Sequence, residues 1–193
     1  LPVETQYLGI IPQTGIGVTG PAQGYEDDGY WGALPIGFNF DFFGNTYTDF
    51  YVTSNGLVTF GTSSTQYTNA EIPTAATVNN YIAPFWDDII LHATGDIMYQ
   101  TIGTAPNRKC VVQFNNMSFY NSPVLLGTFQ VILYEGSNNI EVHIGSQPQA
   151  GIHTLGIENA DGTIGYAAPG KNASNWTASN FAVVFNYIPG DNT

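Results

Sequence analysis

The stretch IGFNFDFFGNTYTDFYVTSNGLVTFG, residues 36–61, decides the fold class. Phe38, Phe40 and Phe42 alternate with Asn39 and Asp41, a period of two that puts the rings on one face of a strand. Gly44-Asn45 then offers a tight turn. The run DFYVTS (49–54) follows, and it ends on Asn55-Gly56, the pair that best tolerates the positive φ angles of a two-residue hairpin loop. LVTFG (57–61) returns the chain. Strand, turn, strand, turn, strand leaves no room for a helix here.

The same pattern extends outward in both directions. Helical periodicity is almost absent, and further strands are read at 96–102, 109–119, 127–135, 139–145, 153–159 and 181–188. Turns at 136–139 and at Asp161-Gly162 separate some of them. The expectation is an all-β domain, a two-sheet antiparallel sandwich of jelly-roll type with about nine or more strands. Residues 62–80 and 160–180 read as loops. Residues 1–34 read as a Gly-rich extension with weak strand character around Tyr7 to Ile11, pairing with the sheet or with a neighbour. No linker divides the chain, so residues 1–193 are expected to be one domain.

Composition narrows the function classes. Hydrophobic residues make up 43% of the chain, enough for a core, but only 9% are charged, against about 25% in ordinary soluble proteins. Polarity comes instead from Thr, Asn, Ser, Gln and Tyr, which suits a secreted or surface protein. Three basic residues face fifteen acidic ones, for a net charge of −12. Phosphate binding needs clustered Lys and Arg, so nucleic acid is excluded as a partner. No apolar run is long enough to insert in a membrane as a helix. Cys110 is alone, so no intrachain disulfide forms, and its phase with Val112 and Phe114 marks a core position. Nothing at Leu1 reads as a signal peptide; for an exported chain it has been removed or lies upstream.

The segments 34–61 (LPIGFNFDFFGNTYTDFYVTSNGLVTFG), IAPFWDDI (82–89), GDIMYQ, VVQFNNMSFY and TFQVILYEGSNNIEVHIG resemble, in that order, the nidogen-like (NIDO) domain. The likeness covers about residues 34–145. Modules of bacterial secreted and surface proteins, notably of Bacteroidota, are similar as far as GIENADGT, to about residue 166. The resemblance implies a non-enzymatic module of adhesive or matrix-type proteins, extracellular or at a bacterial cell surface.

Several residues invite a chemical reading. Asp87 and Asp88 are adjacent on a strand end and point to opposite faces, so they do not form a facing acid pair. Glycosidase carboxylates must converge on one bond from about 5–10 Å apart. Two readings stand. In one, an Asp accepts backbone N–H groups in a corner while the other is solvated. In the other, Asp87, Asp88 and Asp96, with Glu26, Asp27 and Asp28 as a second cluster, bind calcium, which takes six to eight oxygens. Neither stretch has the spacing of a calcium loop. His92, His143 and His153 lack zinc-ligand spacing and read as solvated or edge residues. No Gly-x-Ser-x-Gly elbow is present.

Tyr25, Tyr30, Trp31 and Trp176 read as loop aromatics able to stack on a sugar or meet a protein. The expected function is a structural or adhesive subunit that self-associates or binds proteins, copies of itself included, by strand addition. The alternative is a carbohydrate-binding module using the loop aromatics and calcium.

Overall fold

The computed structural model of the chain describes residues 1–13, 16–17, 26–75 and 78–190. Among these there is no helix. The strands are β1 (Pro2–Thr5), β2 (Ile16–Gly17), β3 (Tyr30–Phe42), β4 (Asn45–Thr53), β5 (Val58–Thr59), β6 (Tyr81–Trp86), β7 (Ile89–Ile90) and β8 (Asp96–Ile102). They continue with β9 (Lys109–Asn115), β10 (Ser118–Phe119), β11 (Phe129–Tyr134), β12 (Ile140–Gln147), β13 (Ile152–Glu158), β14 (Gly165–Ala167), β15 (Ser174–Asn175) and β16 (Ala178–Phe185).

Two antiparallel sheets carry the fold. The first runs β1-β16-β12-β11-β9-β8-β2, and the second β14-β13-β6-β5-β4-β3 with β15 on β13; β7 and β10 form a short ribbon. The expected sandwich is the observed one. Alternation explains the core directly. Phe38, Phe40 and Phe42 of β3 are buried, and Phe42 and Phe40 lie 4.8 and 6.0 Å from the Phe60 ring. From the first sheet, Val112, Phe114, Phe129, Val131, Val142 and Ile144 face them. Cys110 is buried in the same core.

Some boundaries differ from the sequence reading. β3 starts at Tyr30 rather than at Ile36. β6 is a fully buried central strand despite Pro84. Proline has no N–H to donate, and the β13–β6 register shifts between Thr154 and Gly156, opposite that position. The supposed loop 160–180 contains β14, β15 and the start of β16. Strand structure near the start falls at Pro2–Thr5, and Tyr7 to Ile11 run outside the strands.

The sandwich has two unlike ends. At the upper end lie the β3–β4, β8–β9 and β11–β12 turns and an apolar cleft lined by Phe43, Ile140, Tyr166, Tyr187, Ile188 and Leu1. At the lower end lie the Asn55-Gly56 turn, Asp87-Asp88 and the β12–β13 connection.

Candidate functional site

The lower end gathers the acidic residues. Asn55, fully buried, organises it. Its amide Nδ2 donates to Asp28 Oδ1 at 2.8 Å, and its Oδ1 accepts the Ile89 N–H at 3.2 Å. Gly56 follows with φ +79°, and a Cβ there would stand 1.9 Å from the Phe85 carbonyl oxygen. Only glycine lets the turn close against that strand end. The chain before β3 is tied to the same corner: the Gly29 N–H donates to Ser54 Oγ at 2.9 Å, and the Leu91 N–H donates to the Glu26 carbonyl at 3.0 Å.

These ties bring Asp27, Asp28 and Asp88 together, with one carboxylate oxygen from each lying within 4.8 Å of the others. All three are half-buried. Burial, then repulsion from Asp28, pushes the Asp27 carboxyl above its usual range. Burial first, then repulsion from Asp28, Asp27 and Asp87, does the same to Asp88. Asp27 Oδ1 is enclosed without a hydrogen-bond partner among the described residues. Carboxylates held against their mutual repulsion are relieved by a cation, and three oxygens of this kind are hard ligands suited to calcium or magnesium.

Asp87 does something else. Its Oδ1 accepts the Asp88 N–H at 2.7 Å, and its Oδ2 lies 2.5 Å from His153 Nδ1. The other ring nitrogen of His153 lies 3.1 Å from the Gln149 carbonyl oxygen. Phe85, Phe119 and Trp176 surround the imidazole at 4.7, 5.4 and 5.5 Å between ring centres. The Trp176 indole N–H donates to the His153 carbonyl at 3.0 Å. The corner reading therefore describes Asp87. Asp88 turns to the acidic cluster rather than to open solvent.

The remaining site residues divide as follows. Asp96 opens β8 opposite Asn115 and stands outside the cluster. Glu26 contributes its backbone carbonyl, while its side chain is exposed. Tyr25 lies outside the described residues. Tyr30 is half-buried in β3, edge-on to Tyr51 at 6.1 Å.

Three expectations are corrected. Trp31 is only 3% exposed, because β3 extends back to Tyr30 and turns the indole into the core opposite Val52. Trp176 is 7% exposed, sealed over His153 and Phe85, with Lys171 Nζ 4.7 Å from its ring centre. Neither is a loop aromatic open to a sugar. His143 and His153 are buried rather than solvated. His92 keeps to the partly exposed turn before β8, with Nδ1 3.1 Å from Thr94 Oγ1.

Buried polar groups also lie outside the acidic corner, and of these the sequence reading singles out only His143. Glu158 is fully buried, and its Oε2 accepts the Thr74 N–H at 2.7 Å. Gln113, Gln130 and His143 are buried on the outward side of the first sheet. Their signal was present: each is a polar side chain at an outward position of an apolar strand.

Comparison with known proteins adds the following. The sequence profile of the family described as NIDO related matches residues 6–192. Over 124 residues the chain is 30% identical to alpha-tectorin of Mus musculus; this is 61% of the chain but 6% of that protein. No solved structure matches. Among the described residues, no helix is long and apolar enough to cross a membrane.

Proposed function

The chain belongs to the NIDO-related family, and from that premise we propose that it is a non-enzymatic structural module of the extracellular space or cell surface, associating with proteins that include copies of itself. One observation carries the reading. β1 forms the edge of the first sheet, hydrogen-bonded to β16 on one side, with Val3 half-exposed. An edge of this kind offers unpaired backbone groups to another strand. The lower-end chemistry supports a scaffold rather than a reaction. His153 has both nitrogens engaged and its ring enclosed. The carboxylates that converge do so side by side, as ligands of one ion would.

Calcium is proposed as the cofactor of the acidic corner, held by Asp27, Asp28 and Asp88, where it would offset part of the −12 charge. The glycan reading loses its two tryptophans to the core. Sedimentation and electron microscopy of the purified chain, with calcium or with chelator, test the proposal. Association predicts species larger than 20.8 kDa, more abundant with calcium. A monomer under every condition refutes it.

A further inference from the structure

Residues 6–13 belong to neither sheet. They cross the outer face of the first sheet, and side chains from successive strands hold them. From β12, His143 Nδ1 lies 3.2 Å from the Gly9 carbonyl oxygen, with the Tyr7 ring 5.8 Å from the imidazole. From β11, the Gln130 amide grips Ile11 both ways: Oε1 accepts its N–H at 3.0 Å, and Nε2 donates to its carbonyl at 2.7 Å. Gln113 of β9 braces that amide by accepting from the same Nε2 at 2.8 Å. From β8, Gln100 Nε2 donates to the Pro12 carbonyl at 3.0 Å.

Apart from the Gln113–Gln130 brace, these hydrogen bonds go to backbone atoms of the crossing segment. The row therefore reads an extended main chain, much as a sheet edge does, but with side chains. Burial is lopsided. Gln130, Gln113 and His143 are 0, 8 and 5% exposed, whereas Leu8 is 80% exposed and none of residues 1–13 is buried. Buried amides and imidazoles must find partners. The segment that supplies them is itself only partly buried: Tyr7, Gly9, Ile10, Ile11 and Gln13 are half-buried, and Leu8 and Pro12 are exposed. It is held as a peptide ligand is held, not as a core element.

We infer that this row is a docking strip for an extended peptide, and that the partner it takes is the same segment of a second copy. An exchanged segment makes identical contacts on its new host, so exchange sacrifices none of them. The β1–β16 pairing, Pro2 opposite Phe185 to Thr5 opposite Ala182, passes to the neighbour with it. The inference rests on the self-association proposed above and names its device.

The test mixes two full-length single variants, Ile10→Cys and Gly145→Cys. A Cβ at Gly145 would lie 3.8 Å from Ile10 Cγ1, and native Cys110 is buried and stays unreactive. Mild oxidation is expected to give the mixed disulfide dimer well above its statistical share. The double variant in one chain should give covalent multimers at high concentration. Mixed dimers at or below the statistical share, with the double variant closing only within itself, overturn the inference.

If oxidation closes nothing, fluorescence anisotropy of labelled peptide 1–13 added to the full chain decides. Slow capture is expected, weakened about tenfold by Gln130→Leu through loss of two backbone hydrogen bonds. No capture overturns the inference. Light scattering separates the two readings. Copies that associate without either signal leave self-association standing and remove exchange; copies that never associate remove both.

Discussion

Asp87 Oδ2 lies 2.5 Å from His153 Nδ1, across 66 residues of sequence. The pair joins the end of β6 to the start of β13 and closes the lower end of the second sheet.

Asp87→Asn should lower stability by about 2–3 kcal/mol, because it weakens the partner of a buried imidazole whose second nitrogen is already committed. Asp88→Asn should do the opposite without divalent cations, since it removes one of three carboxylates that repel each other. Urea unfolding of both variants checks the contrast. Equal losses would mean that the two aspartates share one role.

Calcium should raise the melting temperature of the native chain but not that of Asp28→Asn. At a concentration about a hundred times its dissociation constant, a ligand bound only to the folded state adds about 2.7 kcal/mol. In a domain of this size that is about 5–10 °C. Identical melting curves in calcium and in chelator would dismiss the site.

Glu158 should make stability fall as pH rises. Burial, the dominant cause, pushes its carboxyl up from 4.5 to about 7, against the Thr74 N–H and the Tyr81 hydroxyl, which lower it. The folded state therefore holds the proton more tightly than the unfolded chain. The stabilising contribution is complete below about pH 4.5 and is lost as pH climbs through about 7. Glu158→Gln should flatten this dependence and gain about 2 kcal/mol at the alkaline end. Thermal melts between pH 4 and 8 decide; a native profile that is already flat would be contrary.

Gly56→Ala should cost about 3 kcal/mol or more. The added methyl would strike the Phe85 carbonyl oxygen at 1.9 Å, and the residue sits at φ +79°. A variant with native melting behaviour would show that the turn does not close on β6 as described.

Much of this was legible in the sequence. Phe38, Phe40 and Phe42 carried the period, and Asn55-Gly56 carried the turn. Their information is local, and strand alternation survives whatever packs against it. Trp31 misled because Gly32 and Ala33 interrupt the alternation before Ile36, so the strand could not be followed back to Tyr30. Trp176 sits among Asn, Ser and Thr, and the residues that bury it, Phe85 and His153, are far away in sequence. In the sequence the acidic residues stand in two separate clusters, 26–28 and 87–96. The fold takes Asp27 and Asp28 from one and Asp88 from the other, and gives Asp87 to a histidine. Only long-range topology makes that division.

The carboxylate-rich end and the ring-lined cleft at the opposite end present two chemically unlike surfaces to the surroundings. A rise in ionic strength would weaken whatever meets the first and leave the second nearly untouched.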